Sequence, residues 1–157
     1  MSDLKDNTYH LFGNLIRFHA NSPDTGGAYC LVESLTAPGA GAPPNRHPGE
    51  DEAFYVLDGT FEFSVEGKTI TATSGQFVKI PDGAVHAFRN AGDAPGRLLI
   101  INSPGTMHDA FFSEAGDPLP LETRELPAPT GEAPNIPAII AIAEKHGMQF
   151  MAPAEQH

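Results

Sequence analysis

Only one cysteine occurs in the 157 residues, Cys30, so no internal disulfide framework holds this chain. It sits in an apolar, strand-like run and reads as a small buried hydrophobe. Basic residues are scarce. Nine Lys and Arg face twenty Asp and Glu, a formal net charge of −11. That balance argues against a nucleic-acid partner, which needs a basic footprint, and against docking on an anionic membrane surface. It carries no information about fold. Apolar runs are short, and none approaches the ~18 residues of a membrane span. Met1 to Thr8 show neither the basic start nor the apolar core of a signal peptide, so a soluble cytoplasmic protein is expected. There is no internal repeat of useful length and, between residues 28 and 102, no helical period.

What is present fits one domain with a single sizeable core. Apolar residues make up 40% and charged residues 18%, which is not the composition of a disordered chain. Sixteen Gly, fifteen Pro and ten Phe point to many short strands joined by turns. Residues 1–13 read as a loose arm or an edge strand. Strands are expected over 14–19, 28–35, 52–57, 60–66, 68–73, 76–80, 85–89 and 97–102. Thr36 to Pro44 is expected to be a stiff loop, Asp58-Gly59 and Glu66-Gly67 hairpin turns, and Ile80 to Gly83 a turn preset by Pro81. At least seven short strands without helical spacing imply an antiparallel sandwich or barrel. Residues 1–116 are assigned to it. Residues 117–157 form a Pro-rich arm and a tail helix, packing on the barrel or on a partner subunit. In that helix Asn135 is the expected N-cap, Ile136, Ile139, Ile140 and Ala143 recur at helical spacing, and Gly147 follows the end. His108 to Ala115 reads as a short helix or irregular chain.

Two polar stretches carry the chemistry. The first runs from Asn45 to Gly59. Within it Glu52, Phe54 and Val56 share one strand face, so the carboxylate of Glu52 points into an apolar side and needs a partner. His47 lies five residues earlier, close enough to converge on the same point. The second stretch is Gly75, Pro81, Gly83, His86 and Asn90, in the pattern G-x5-P-x-G-x2-H-x3-N. Its turns bend the chain so that His86 opens a new strand, with Phe88 on the same face. If both faces line one interior, His47, Glu52 and His86 meet there. Two imidazoles and one carboxylate suit a divalent first-row metal with open positions.

These two stretches resemble the paired motifs of the cupin superfamily. Four residues separate His47 from Glu52, six separate Glu52 from Gly59, and the second motif matches at every defining position. The text from Gly49 to Gly59 is similar to small single-domain cupins of the quercetin 2,3-dioxygenase kind. The resemblance implies an all-β double-stranded β-helix, the jelly-roll cupin barrel, with a C-terminal helix added. It implies a metal site at Asn45, His47, Glu52 and His86, and a divalent transition metal: Fe, Mn, Ni, Cu or Zn. Asn45 stands where the family has its first histidine. Three readings follow: the amide oxygen coordinates, or it steps back and leaves a water on a three-ligand metal, or stable metal binding is lost.

The function implied is a metal-dependent dioxygenase acting on a flavonol-like or other aromatic, enolisable small molecule, with Glu52 also the catalytic base. Phe54, Phe61, Phe63, Phe77 and Phe88 are available as an apolar lining, or simply as barrel core. Arg17, Tyr29 and Arg89 are rim residues or substrate contacts. The alternatives are a non-catalytic or sensory small-molecule-binding cupin, or an isomerase or decarboxylase; fold alone does not choose. His108 and the two tail histidines, His146 and His157, lie outside both motifs and are not expected among the ligands. A homodimer is expected, since open β edges need covering.

Overall fold

The computed structural model describes residues 7–129 and 134–151, and His157 lies outside them. Two antiparallel sheets face each other. The first contains β1 (Thr8–Leu11), β2 (Asn14–Ala20), β3 (Cys30–Thr36), β5 (Asp51–Asp58), β8 (Phe77–Ile80), β10 (Gly96–Ser103) and β11 (Asp117–Pro118). Their order is β11-β1-β2-β3-β10-β5-β8. The second contains β4 (Gly41–Arg46), β6 (Thr60–Val65), β7 (Lys68–Thr73), β9 (His86–Asn90) and β12 (Gln149–Phe150), in the order β12-β4-β9-β6-β7. This is the expected all-β jelly roll. Helix α1 (Thr106–Ala115) follows the last long strand, and α2 (Ile136–Lys145) packs against α1. No helix among the described residues is long and apolar enough to cross a membrane.

Alternation decides what enters the core. Along β5, Glu52, Phe54 and Val56 are buried while Tyr55 and Leu57 are exposed. Phe63 of β6 and Phe88 of β9 meet Phe54 from the opposite sheet, with ring centroids 4.9 Å apart for Phe54–Phe63 and 5.3 Å for Phe54–Phe88, and Phe61 packs on Phe63 and Phe88. Phe77 is not part of this cluster. Its side chain pairs across from Tyr55 on the outer face and is 61% exposed.

Two other expectations are corrected. Asp58-Gly59 is a corner between sheets, not a hairpin: β5 pairs with β10 and β8, whereas β6 pairs with β7 and β9. Glu66-Gly67 is a two-residue hairpin as expected, joining Val65 to Lys68 with φ values of 49° and 80°, and Phe12-Gly13 joins Leu11 to Asn14 in the same way. The stretch expected as a stiff loop contains a strand, β4, despite Pro43 and Pro44. The β4–β9 register shifts between Ala42 and Asn45, so the prolines fall in a bulge where missing N–H groups cost no ladder bonds.

The tail closes back on the barrel. Asn135 accepts the Ala138 N–H at 3.1 Å as the N-cap, Gly147 has φ 87°, and Ile139 and Ala143 are buried. Ile136, expected on the buried stripe, is exposed. Asp117–Pro118 and Gln149–Phe150 each add a short strand to a barrel sheet.

Candidate metal centre

Four side chains from four parts of the chain converge at one end of the barrel. Glu52 begins β5 with its carboxylate inward. His47 follows β4, and His86 opens β9 beside Asn45, its partner in the β4–β9 ladder. The fourth is His108, in the first turn of α1. All four are at least 93% buried.

Glu52 is the hub. Its Oε1 lies 3.3 Å from His47 Nε2 and 2.8 Å from His86 Nε2. Its Oε2 accepts from Asn102 Nδ2 at 2.8 Å and lies 3.3 Å from His108 Nε2. The imidazole of His47 packs edge-on against both other rings, with centroids 4.9 Å from His86 and 4.6 Å from His108. Ligand atoms of His47, Glu52 and His108 lie within 4.8 Å of one another.

The far side of each ring is already committed. His47 Nδ1 donates to the Glu50 carbonyl at 3.0 Å and His86 Nδ1 to the Ala84 carbonyl at 2.9 Å. His108 Nδ1 donates to the carboxylate of Glu50. With Nδ1–H donated, Nε2 meets Glu52 with either a second proton or a bare lone pair. Lone pairs against a carboxylate repel; protons or a cation between them attract. The donor set therefore fits a divalent first-row metal, and the Nδ1 contacts are of the kind that orient metal-bound histidines.

The electrostatics agree with a charged cluster. Burial would raise the Glu52 carboxyl, but the charge of His108 and the hydrogen bonds from His47 and His86 hold it well below the usual carboxylate range. Burial would lower His47, yet its hydrogen bond to Glu52 prevails and its pKa is raised. Glu50 is likewise pulled down against burial by His108 and by backbone amides.

Of the residues expected from sequence, His47, Glu52 and His86 are brought together. Asn45 is adjacent, but its amide nitrogen is spent on the carbonyls of Pro43 (2.9 Å) and His86 (3.3 Å). His108 was expected to lie apart; instead the helix that follows β10 folds it into the cluster. No spacing rule announces it, because neither motif reaches α1. Glu50 and Asn102 were missed for the same reason: each acts on a side chain distant in sequence. His146 is elsewhere, 2.9 Å from Glu114 on the surface.

A narrow cavity runs from this cluster through the barrel, walled by Phe54, Phe88, Phe111 and Phe112, with Glu52, His86 and His108 at its polar end. Phe12 and Phe150 stand against each other on its wall, ring centroids 5.9 Å apart. Arg17, Tyr29 and Arg89 do not line it. Arg17 lies 3.5 Å from Glu33, and Arg89 donates to Glu62 at 2.9 Å.

Residues 33–102 match the family described as "Cupin domain". The chain is 32% identical over 71 residues to "Polyketide synthase CurC" of Streptomyces cyaneus, a match spanning 45% of this chain and 46% of that protein. It is 28% identical over 104 residues to "Quercetin 2,3-dioxygenase" of Bacillus subtilis (strain 168), covering 66% of this chain and 30% of the relative. The chain thus spans less than half the length of each of these two curated relatives. Among solved structures, the polyketide cyclase RemF of Streptomyces resistomycificus superposes with a TM-score of 0.53 at 22% identity, over 64% of this chain and 69% of that one. At that identity the likeness concerns the fold.

Proposed function

This chain carries a cupin domain, and we propose that it is a metal-dependent enzyme acting on a phenolic or otherwise enolisable small molecule, with dioxygenation as the reaction. The observation that carries the reading is the convergence of imidazole Nε2 atoms on buried Glu52 at the polar end of an aromatic cavity. A divalent Fe, Mn, Ni, Cu or Zn ion held by His47, Glu52 and His86 would supply Lewis acidity toward the substrate's oxygens. The chain's own residues do the rest. Phe54, Phe88, Phe111 and Phe112 bind a flat apolar body and exclude water. Glu52, the one carboxylate on the cavity wall among the described residues, is suited by position to take a hydroxyl proton. Its depressed pKa keeps it ionised, as an acceptor must be, and makes it a weak base. Proton transfer therefore depends on stabilisation of the resulting oxyanion.

Asn45 favours a second reading, enolate chemistry without oxygen: cyclisation, isomerisation or decarboxylation. An amide whose nitrogen is held by backbone carbonyls has only a neutral oxygen for a metal, a weaker donor than imidazole. The relative named as a polyketide synthase supports the same substrate chemistry. Oxygen uptake with flavonols, in protein reconstituted with each metal in turn, separates the two. Uptake proportional to bound metal is expected. Metal-loaded protein that consumes a β-diketone but no oxygen selects the second reading, and protein that retains none of these metals ends both. A cytoplasmic homodimer goes with the proposal. Tyr55, Leu57, Phe77 and Ile101 form an exposed apolar face on β5, β8 and β10, and sedimentation velocity tests whether a second copy covers it.

A further inference from the structure

We propose that His108, carried on α1 outside the barrel, is a ligand of the same metal, supplying the imidazole that the first motif lacks at Asn45, with Glu50 as its positioning residue. The inference rests on the metal-dependent reading above and adds a residue to it.

Three observations carry it. First, His108 Nε2 is aimed at the hub, 3.3 Å from Glu52 Oε2, and its ring stacks edge-on to His47. A histidine that served only to anchor α1 would have no reason to present its second nitrogen to a buried carboxylate. Second, its orientation is fixed with unusual completeness. Nδ1 donates to Glu50, and that carboxylate, 2% exposed, also accepts the backbone N–H groups of Gly105 (3.0 Å), Met107 (3.1 Å) and His108 itself (3.2 Å). A carboxylate behind a histidine sets the tautomer with Nε2 free and raises the ring's strength as a ligand. Third, Asn45 brings no imidazole to the cavity it lines: its amide nitrogen is held by the Pro43 and His86 carbonyls, which leaves only a neutral oxygen as donor. β4 offers an amide where an imidazole would serve, and one imidazole arrives from α1. The set becomes three imidazoles and a carboxylate drawn from both sheets and a helix.

Glu50 is a positioning residue and touches no substrate. Its role predicts that docking of α1 and metal affinity are linked: the helix brings the ligand, and the metal holds the helix.

The test uses the intact protein labelled with 15N-histidine and titrated with Zn²⁺. The expected result is a metal-bound shift of the Nε2 resonance in His47, His86 and His108 together. Zinc shifts in His47 and His86 with His108 unmoved overturn the inference and leave the metal-dependent reading intact. No shift in any of the three ends that reading itself. Affinity gives an independent measure. Glu50→Gln is expected to weaken Zn²⁺ binding about 10–100-fold and His108→Ala by more. Adding Asn45→His to His108→Ala is expected to restore most of the loss, by returning an imidazole to the barrel position. Folded His108→Ala protein with wild-type zinc affinity overturns the inference.

Discussion

Glu50 and His108 are 58 residues apart in the chain, yet the carboxylate of one holds both the ring and the backbone N–H of the other. The pair ties the turn before β5 to the first turn of α1. Breaking a buried charged pair from one side typically costs about 3–5 kcal/mol, because the remaining partner is left uncompensated. Glu50→Ala is therefore expected to lower stability by several kcal/mol and to loosen α1 selectively. Hydrogen exchange of amides 106–115 measures this. Loss of protection spread evenly over the barrel would contradict a local tie.

The same carboxylate sets an acid limit. Burial pushes Glu50 up, but His108 and the helix amides bring it below its ordinary value. A carboxyl whose folded pKa is depressed contributes stability fully above its unfolded value, about 4.3, and loses it as pH falls through the folded one. Glu52 adds in the same direction. His47 works oppositely. Its raised pKa contributes stability below about 6.5, and that is lost as pH rises through the folded value. Metal-free protein should thus be most stable between roughly pH 4.5 and 6.5, with bound metal extending the range upward. Denaturation midpoints across pH, with and without Zn²⁺, provide the check. A metal-free midpoint that climbs steadily above pH 7 would refute the His47 contribution.

Much of this was legible beforehand. Alternation placed Phe54, Val56, Phe61 and Phe63 inside because the period of a strand is local, and the two motifs located His47, Glu52 and His86 because each is set by turn residues a few positions away. Failures came where long-range pairing decides. Asp58-Gly59 has the composition of a hairpin, but only the pairing of β5 with β10 and of β6 with β9 shows that the chain changes sheets there. Pro43 and Pro44 argue against a strand unless the bulge opposite β9 is known. His108 has no local signal at all; its place follows from how α1 lands on the barrel.

Gly105 governs that landing. It precedes α1 with φ +93°, and a Cβ there would fall 2.4 Å from the Cys30 backbone nitrogen. Both the left-handed backbone and the contact oppose a side chain. Gly105→Ala is expected to destabilise by well over 1 kcal/mol and to weaken metal binding, since the Gly105 N–H also holds Glu50. Parallel loss of midpoint and zinc affinity is the expected pattern. Unchanged affinity in a destabilised variant would uncouple α1 from the site.

Glu52→Gln isolates the hub without changing its shape. The amide keeps one acceptor oxygen but weakens the hydrogen bond, and removes the charge, that together raise His47 against its burial. Burial then dominates, and the His47 pKa should fall below the ordinary histidine value instead of standing above it. The lowered ring gives up a proton on folding, so the His47 contribution changes sign: stability is lost, not gained, as pH falls below about 6.5. Histidine titration by NMR in metal-free protein reads the sign directly: raised in wild type, lowered in the variant. A His47 that titrates identically in both would mean that Glu52 does not govern the cluster, and its place as hub of the candidate metal centre would fall with it.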